Sequence, residues 1–95
     1  MPYRYDIYIG SDNETKKIAE VYRSKVIKWA NSLFPEGYTI FEANGYYDGL
    51  NEDSLLVSVL SECEIEVSDY VNDLKRELKQ DKILLTKFDM EVYKI

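Results

Sequence analysis

The chain has 95 residues, of which 45% are hydrophobic and 32% are charged, and its formal net charge is −6. This length predicts a single domain over residues 1–95, and the composition is that of a globular chain rather than a disordered one. Because the sequence contains no histidine, it excludes a Ser-His-Asp triad, a Cys-His pair and the usual Cys/His zinc site.

The first predicted elements are a strand and a helix. Residues 3–9 alternate in polarity, which predicts a strand that ends at Gly10. The sequence SDNE at 11–14 matches an S-x-x-E capping box, so we expect the first helix to begin there. Pro35 and Gly37 are expected to end this helix. Its apolar stripe consists of Ile18, Tyr22, Val26, Trp29 and Leu33.

Three more strands and a second helix are predicted downstream. Runs of β-branched, aromatic and leucine residues predict strands over 38–43, over 54–60, and over 82–88 or as far as the last residue. The second helix is expected to begin between positions 61 and 68, since its first residues also alternate like a strand. Its apolar stripe consists of Val67, Val71, Leu74 and Leu78.

The order of these elements, β-α-β-β-α-β, predicts an α+β fold. Chains with this order most often form a four-stranded antiparallel sheet with both helices on one face, the ferredoxin-like sandwich. One sheet face then remains uncovered, and exposed aromatic residues on it would suit a homodimer or a docked partner.

Two turn segments carry a resemblance to a known family. The sequences FPEGYT at 34–39 and NGYYDG at 44–49 resemble a small uncharacterised family of bacterial ferredoxin-like domains. In that family a phenylalanine–proline–acid–glycine turn precedes strand two, and a glycine-aromatic segment precedes strand three. The likeness covers residues 7–88 and implies a fold without an established activity.

The segment NGYYDGLNED, residues 44–53, predicts a hairpin corner. Asp48-Gly49 is a strong type I′ turn signal, because that turn needs positive φ at both central positions. Asn44-Gly45 then predicts a bulge that bends strand two. Neighbouring strand residues point to opposite faces, so the adjacent tyrosines at 46 and 47 cannot both enter the core.

The acidic residues are concentrated in the middle of the chain. Residues 29–74 contain ten acids and no lysine or arginine, whereas residues 1–28 and 75–95 each contain six bases and four acids. Helix-dipole preferences and solvated turn acids explain part of this pattern. The other explanation is an acidic patch for a basic protein partner, which could itself be a nucleic-acid-binding protein. Direct nucleic-acid binding is not expected, because phosphates require a basic face.

Several chemical motifs are tested and rejected. Residues 10–17 have the context of a P-loop but carry Thr15 where its second glycine belongs. The acids of residues 48–53 do not match an EF-hand. Cys63 lies between two glutamates, which disfavours a reactive thiolate and predicts a buried or inert cysteine. We therefore assign no catalytic, metal-binding or cofactor-binding residue.

Three functions follow as hypotheses. The first is a small, acidic, non-catalytic interaction domain, a phage or mobile-element inhibitor or accessory factor that binds a basic partner. The second is a dimeric small-molecule-binding domain, with a pocket between sheet and helices or at the dimer seam and with Tyr8, Tyr46 and Tyr47 as its candidate polar groups. The third is a carboxylate or metal enzyme. With no signal peptide and no apolar run of roughly 20 residues, we expect a cytoplasmic protein without membrane contacts. The candidate partner-binding residues are Tyr8, Tyr46, Tyr47, Asp48, Glu52, Asp53, Glu62, Glu64, Glu66, Asp69 and Asp73.

Overall fold

The computed structural model describes residues 2–12 and 15–95, with the backbone alone for Tyr47. The elements follow the predicted order β-α-β-β-α-β, and the fold is the predicted ferredoxin-like α+β sandwich. No helix of the described chain has the length and apolar character needed to cross a membrane. The elements are β1 (Tyr3–Gly10), α1 (Glu20–Leu33), β2 (Thr39–Tyr47), β3 (Leu50–Ser61), α2 (Ser68–Glu77) and β4 (Leu84–Asp89).

The four strands form one antiparallel sheet in the order β2-β3-β1-β4. The central strand β1 pairs with β3 from Tyr3↔Ser61 to Gly10↔Ser54, and with β4 from Tyr3↔Asp89 to Tyr8↔Leu84. The hairpin end of the sheet carries the turn at residues 48–49. The opposite end, which we call the loop end, carries the β3–α2 connection at residues 62–67.

The hydrophobic core lies between one sheet face and the two helices. Alternate residues of the central strands point into it, and each such buried aliphatic side chain contributes roughly 1.5–3 kcal/mol. The helices supply residues at spacings of three and four, as their stripes predict. The main contributors are Tyr5, Ile7 and Ile9 of β1, Leu55, Val57 and Val59 of β3, Tyr22, Val26 and Ala30 of α1, and Val71 and Leu74 of α2.

The β2–β3 hairpin confirms the predicted turn and contradicts the predicted bulge. Asp48 and Gly49 have φ values of 51° and 76°, as a two-residue type I′ turn requires. The register then runs without interruption from Tyr47↔Leu50 to Thr39↔Ser58, so no extra residue is present at Asn44-Gly45. A Cβ at Gly45 would lie only 3.2 Å from the carbonyl oxygen of Glu52, so this glycine permits close approach of the strands instead.

The first helix begins later than the capping box predicts. It starts at Glu20, after an N-cap position, Ala19, that provides no side-chain hydrogen bond. Ser11 is fully buried and its hydroxyl donates to the Glu52 carboxylate at 3.2 Å, so it serves a tertiary contact rather than a cap. The other end of the predicted box, at residues 13–14, lies outside the described residues. Ile18 packs against the core from the loop before the helix.

The remaining boundaries differ less from the prediction. Helix α2 begins at Ser68, inside the predicted window, with Val67 as its N-cap residue. Strand β3 is longer than predicted, because its hairpin half pairs with β2 past the end of β1. Strand β4 ends at Asp89, and residues 90–95 are not part of the sheet.

Candidate interaction surfaces

The hairpin end holds one group of the predicted partner-binding residues. Tyr46 is 73% exposed, and Asp48 lies at the turn. Glu52 and Asp53 follow on β3, where Glu52 is partly buried and accepts the hydrogen bond from Ser11. The side chain of Tyr47, another predicted contact, lies outside what the structure describes.

The other predicted acids lie on or beside α2, near the loop end. Glu62, Glu64 and Glu66 are in the β3–α2 connection, and Asp69 and Asp73 are on α2. The 12 residues of β3 separate the two ends of the sheet by about 36 Å, at about 3.3 Å per residue. The structure therefore brings the predicted acids together as two groups rather than as one patch.

Ion pairs neutralise part of this charge. Lys87 of β4 lies 2.6 Å from Glu64, and this hydrogen bond raises the pKa of the lysine above its ordinary value. Arg76 pairs with Asp73 one turn away, and Arg23 of α1 pairs with Glu42 of β2. Residues 29–74 contain no basic residue. In the folded protein, basic side chains of α1, α2 and β4 lie beside several of their acids.

The uncovered sheet face carries an apolar row across all four strands. Tyr8 of β1 pairs with Leu56 on one side and with Leu84 on the other, and Leu56 pairs with Phe41. Paired residues share a face, so these four side chains line up across the sheet. Leu84 is 63% exposed and Phe41 is 45% exposed, whereas a covered row would be buried.

Two more rows continue this face toward the loop end. Asp6 is buried at its centre, where it accepts a hydrogen bond from Ser58 at 2.8 Å and lies 3.3 Å from Nε of Arg4. In the next row Arg4 pairs with Leu60 and with Phe88, and its guanidinium stacks 4.4 Å from the centre of the Phe88 ring. A polar centre is therefore framed by apolar side chains on both sides.

Sequence reasoning found only one member of this surface, Tyr8, as a candidate contact. We name the uncovered-face cluster by its apolar members, which are Tyr8, Phe41, Leu56, Leu60, Leu84 and Phe88. The other members could have been found from apolar residues at consecutive strand positions, which place apolar side chains on both faces of the sheet. Both β3 and β4 have such residues.

A small cleft of about 210 Å³ lies where the uncovered face meets the hairpin end. Tyr8, Tyr46, Glu52 and Ser54 line it together with Gly10 and Gly45. Gly10 is closely covered, because a Cβ there would lie 3.2 Å from Gln80 Oε1 and 3.3 Å from Glu52 Oε1. Two of the three tyrosines predicted for a small-molecule site thus line a cavity, although it is shallow and open.

Hydrogen bonds secure the backbone beside this cleft. The Tyr22 hydroxyl donates to the carbonyl oxygen of Gly10, and Gln80 donates from Nε2 to the carbonyl oxygen of Ser11 at 2.8 Å. Burial raises the pKa of Tyr22 to about 12, with added contributions from the negative charges of Asp12 and Glu52. A neutral tyrosine at physiological pH keeps this end of β1 in place.

The chemical groups available for catalysis are few. Cys63 is a free cysteine, and because it is exposed, the predicted alternative of a buried cysteine is wrong. Among residues 2–12 and 15–95 no group of three or more acidic or cysteine side chains is arranged to hold a metal ion. The carboxylate or metal enzyme stays a hypothesis for which this part of the chain supplies no assembled site.

Comparisons with known proteins show similarity in fold only. No protein-family model and no curated protein matches the chain. Among solved structures, the de novo designed protein Foldit4 has a TM-score of 0.55 and 14% identity, with 96% of this chain and 100% of that chain covered. A phage SAM lyase in its apo state has a TM-score of 0.56 and 15% identity, with 97% of this chain and 92% of that chain covered. At such identities the likeness shows a common fold alone.

Proposed function

We propose that the protein is a small, non-catalytic interaction domain that forms a homodimer through its uncovered sheet face and presents acidic side chains to a basic partner protein. The observation that carries the proposal is the uncovered-face cluster, whose side chains span all four strands. Contiguous apolar patches of this kind mark interaction sites on proteins that are otherwise well packed.

The projected area of the face alone is smaller than that of a standard dimer interface. Four strands are about 19 Å wide at about 4.8 Å per strand, and six residues rise about 20 Å, so the projected area is about 400 Å². Specific interfaces begin near roughly 600 Å² per partner. Side-chain relief and the projecting hairpin add to the projected area, which favours a dimer at the lower end of this size range.

The charge pattern of the face also supports self-association. Arg4 lies near its loop end and Glu52 near its hairpin end. A two-fold axis across the strands would turn one copy end over end, so that Arg4 of each copy approaches Glu52 of the other. Such a contact is made twice in an isologous interface, where the same patch serves both subunits.

The dimer is tested by sedimentation equilibrium on the wild type and on two charge variants. At about 100 µM chain, which exceeds a micromolar Kd, we expect twice the 11.2 kDa chain mass for the wild type. Leu84→Asp is expected to weaken association at least about thirtyfold, since it buries an unpaired charge. Val21→Asp is the matched control, because Val21 is a 70% exposed apolar residue on α1. A monomeric wild type, or equal effects of the two variants, contradicts the proposal.

The acidic residues at the loop end are the surface that we propose for a basic partner. Glu62, Glu66 and Asp69 lie within ion-pair distance of no basic side chain in the described part of the chain. A field of one sign speeds the encounter with a basic surface and weakens with salt. The setting that we propose is the cytoplasm, with the protein acting as a phage or mobile-element inhibitor or accessory factor.

Binding to a lysine-rich peptide, measured by fluorescence anisotropy, tests this second surface. The triple variant Glu62→Gln, Glu66→Gln, Asp69→Asn should weaken binding severalfold, and the wild-type affinity should fall as salt rises. The matched control neutralises the acids of the hairpin end, Asp48, Glu52 and Asp53. If the control lowers the affinity more than the triple variant does, the hairpin end is the binding surface instead. Salt-insensitive binding rejects both surfaces.

A further inference from the structure

A cavity of about 500 Å³ opens at the loop end, between the sheet and the C-terminal end of α1. The end of β3 forms one wall, the turn after α1 forms another, and the C-terminal segment closes part of the mouth. Its apolar lining includes Leu33, Phe34, Pro35, Val59, Ile65 and Val92. This cavity is separate from the cleft at the hairpin end, because it lies beside the C-terminal ends of α1 and β3, at the opposite end of the sheet.

The cavity has the character of a small-molecule site. Its volume falls within the range of about 300–1,000 Å³ that is usual for ligand pockets, and its wall is mostly apolar. Only a few polar groups reach it. Glu36, Glu62 and Lys94 are the charged residues that line the cavity, so its residues carry more negative than positive charge.

We infer that this cavity binds a small amphipathic cation, a molecule with an apolar body and one positive charge. The apolar body would be buried against Phe34, Val59 and Ile65, where each methylene removed from water stabilises the complex. The charge would remain near the two carboxylates, where it is partly solvated. This inference goes beyond the interaction function proposed above and does not depend on it.

The chain carries two native reporters for this cavity. Cys63, the single cysteine, lines the cavity and is exposed, so a bound molecule should slow its alkylation. Trp29, the single tryptophan, lies edge-on to Phe34 with ring centres 5.9 Å apart. Its fluorescence should therefore respond when the Phe34 side of the cavity is occupied.

The first experiment measures the rate of Cys63 alkylation by neutral iodoacetamide while four probes are titrated. Octyltrimethylammonium combines both features of the inferred ligand, octanol lacks the charge, octanoate reverses it, and tetramethylammonium lacks the apolar chain. We expect saturable protection and a matching fluorescence change with octyltrimethylammonium, weaker protection with octanol, and the weakest with octanoate and tetramethylammonium. Protection by octanoate that equals that by octyltrimethylammonium overturns the charge assignment. Equal protection by tetramethylammonium, or no saturable protection at all, overturns the site.

Two double variants then test which carboxylates matter. Glu36→Gln with Glu62→Gln should raise the midpoint for octyltrimethylammonium about two- to fivefold, the range of a partly solvated ion pair, and leave octanol unchanged. Glu66→Gln with Asp69→Asn removes the same charge from nearby residues that do not line the cavity, and should change neither midpoint. An equal shift in both variants assigns the effect to the general field and contradicts the site. Repeating the titration on Leu84→Asp separates this result from dimer formation.

Discussion

The two faces of the sheet carry similar side chains and have different neighbours. On β1, Ile7 and Ile9 point toward the helices and are fully buried, while Tyr8 between them is 41% exposed on the uncovered face. On β3, Val57 and Val59 are buried, and Leu60 beside them is exposed. Apolar content alone therefore does not identify the core face of a strand. A sheet face becomes part of the core when helices pack against it.

The two faces also differ in how they treat polar groups. On the covered face, the three rows from Tyr5↔Val59 to Ile9↔Leu55 contain only apolar and aromatic side chains, whereas the uncovered face has Asp6 at its centre. This carboxylate is compensated by Ser58 and Arg4. A surface that combines apolar rows with a buried, ion-paired carboxylate resembles the interior of an interface more than an ordinary solvated face.

The largest expected effect is on the free energy of unfolding, which should differ between variants of the two faces. Ile7→Ala should lower the free energy of unfolding by about 2–5 kcal/mol, because it leaves a cavity in a fully buried site. Leu84→Ala on the uncovered face should change it by at most about 0.5 kcal/mol when the protein is dilute enough to be monomeric. Urea denaturation followed by circular dichroism measures both. Comparable losses for the two variants would mean that the faces are equally covered in solution.

A smaller effect tests the polar centre of the uncovered face. Asp6→Ala should cost about 1–3 kcal/mol, because the partly buried Ser58 hydroxyl loses its acceptor and Arg4 loses its counter-charge. Asp53→Ala, which removes an acid without an ion pair in the described chain, should stay within about 0.5 kcal/mol. The same urea titration compares them. A neutral Asp6→Ala would show that the centre of this face is solvated rather than structural.

The last effect concerns Tyr22, which reaches from α1 to the end of β1, and it is absent at neutral pH and appears only at high pH. Its pKa is raised from 10.0 to about 12 in the folded protein. Between these values the unfolded chain loses the tyrosine proton while the folded chain retains it. The stability contributed by Tyr22 is therefore complete below pH 10 and is lost as the pH rises toward 12.

Ultraviolet absorbance titration tests this expectation. Tyr22→Phe should remove one tyrosinate from the population that appears near pH 12, and it should flatten the fall in stability between pH 10 and 12. Tyr93→Phe, at a 77% exposed position, controls for the loss of one tyrosine. If the absorbance lost with Tyr22 lies near pH 10, the contact with Gly10 does not persist in solution.

The fold could be predicted from the sequence because its signals are local. Alternation in β1, helical spacing in α1 and α2, and the Asp48-Gly49 turn each act over a few residues. The predictions were wrong where a residue that usually marks a local feature, such as a helix cap or a bulge, makes a tertiary contact instead. Ser11 contacts Glu52 instead of capping a helix, and Gly45 accommodates the opposite strand instead of forming a bulge.

The candidate surfaces were less predictable because they depend on which strands are neighbours. The row through Phe41 and Leu84 joins residues from the two edge strands, and their separation in the sequence hides it. Likewise, Lys87 neutralises Glu64 from a strand 23 positions away. The uncharacterised ferredoxin-like family suggested by the turn segments stays a prediction.

The unequal lengths of β1 and β3 have a consequence for local opening. Residues 54–58 of β3 lie between two partner strands, whereas residues 50–53 pair only with β2. Two-stranded ribbons are marginally stable on their own, so this arm opens without the rest of the sheet. Amide hydrogens along this single strand should therefore exchange by two routes: near Asn51 through fraying, and near Val57 only through global unfolding. One strand thereby reports both the flexibility of the hairpin and the stability of the whole domain.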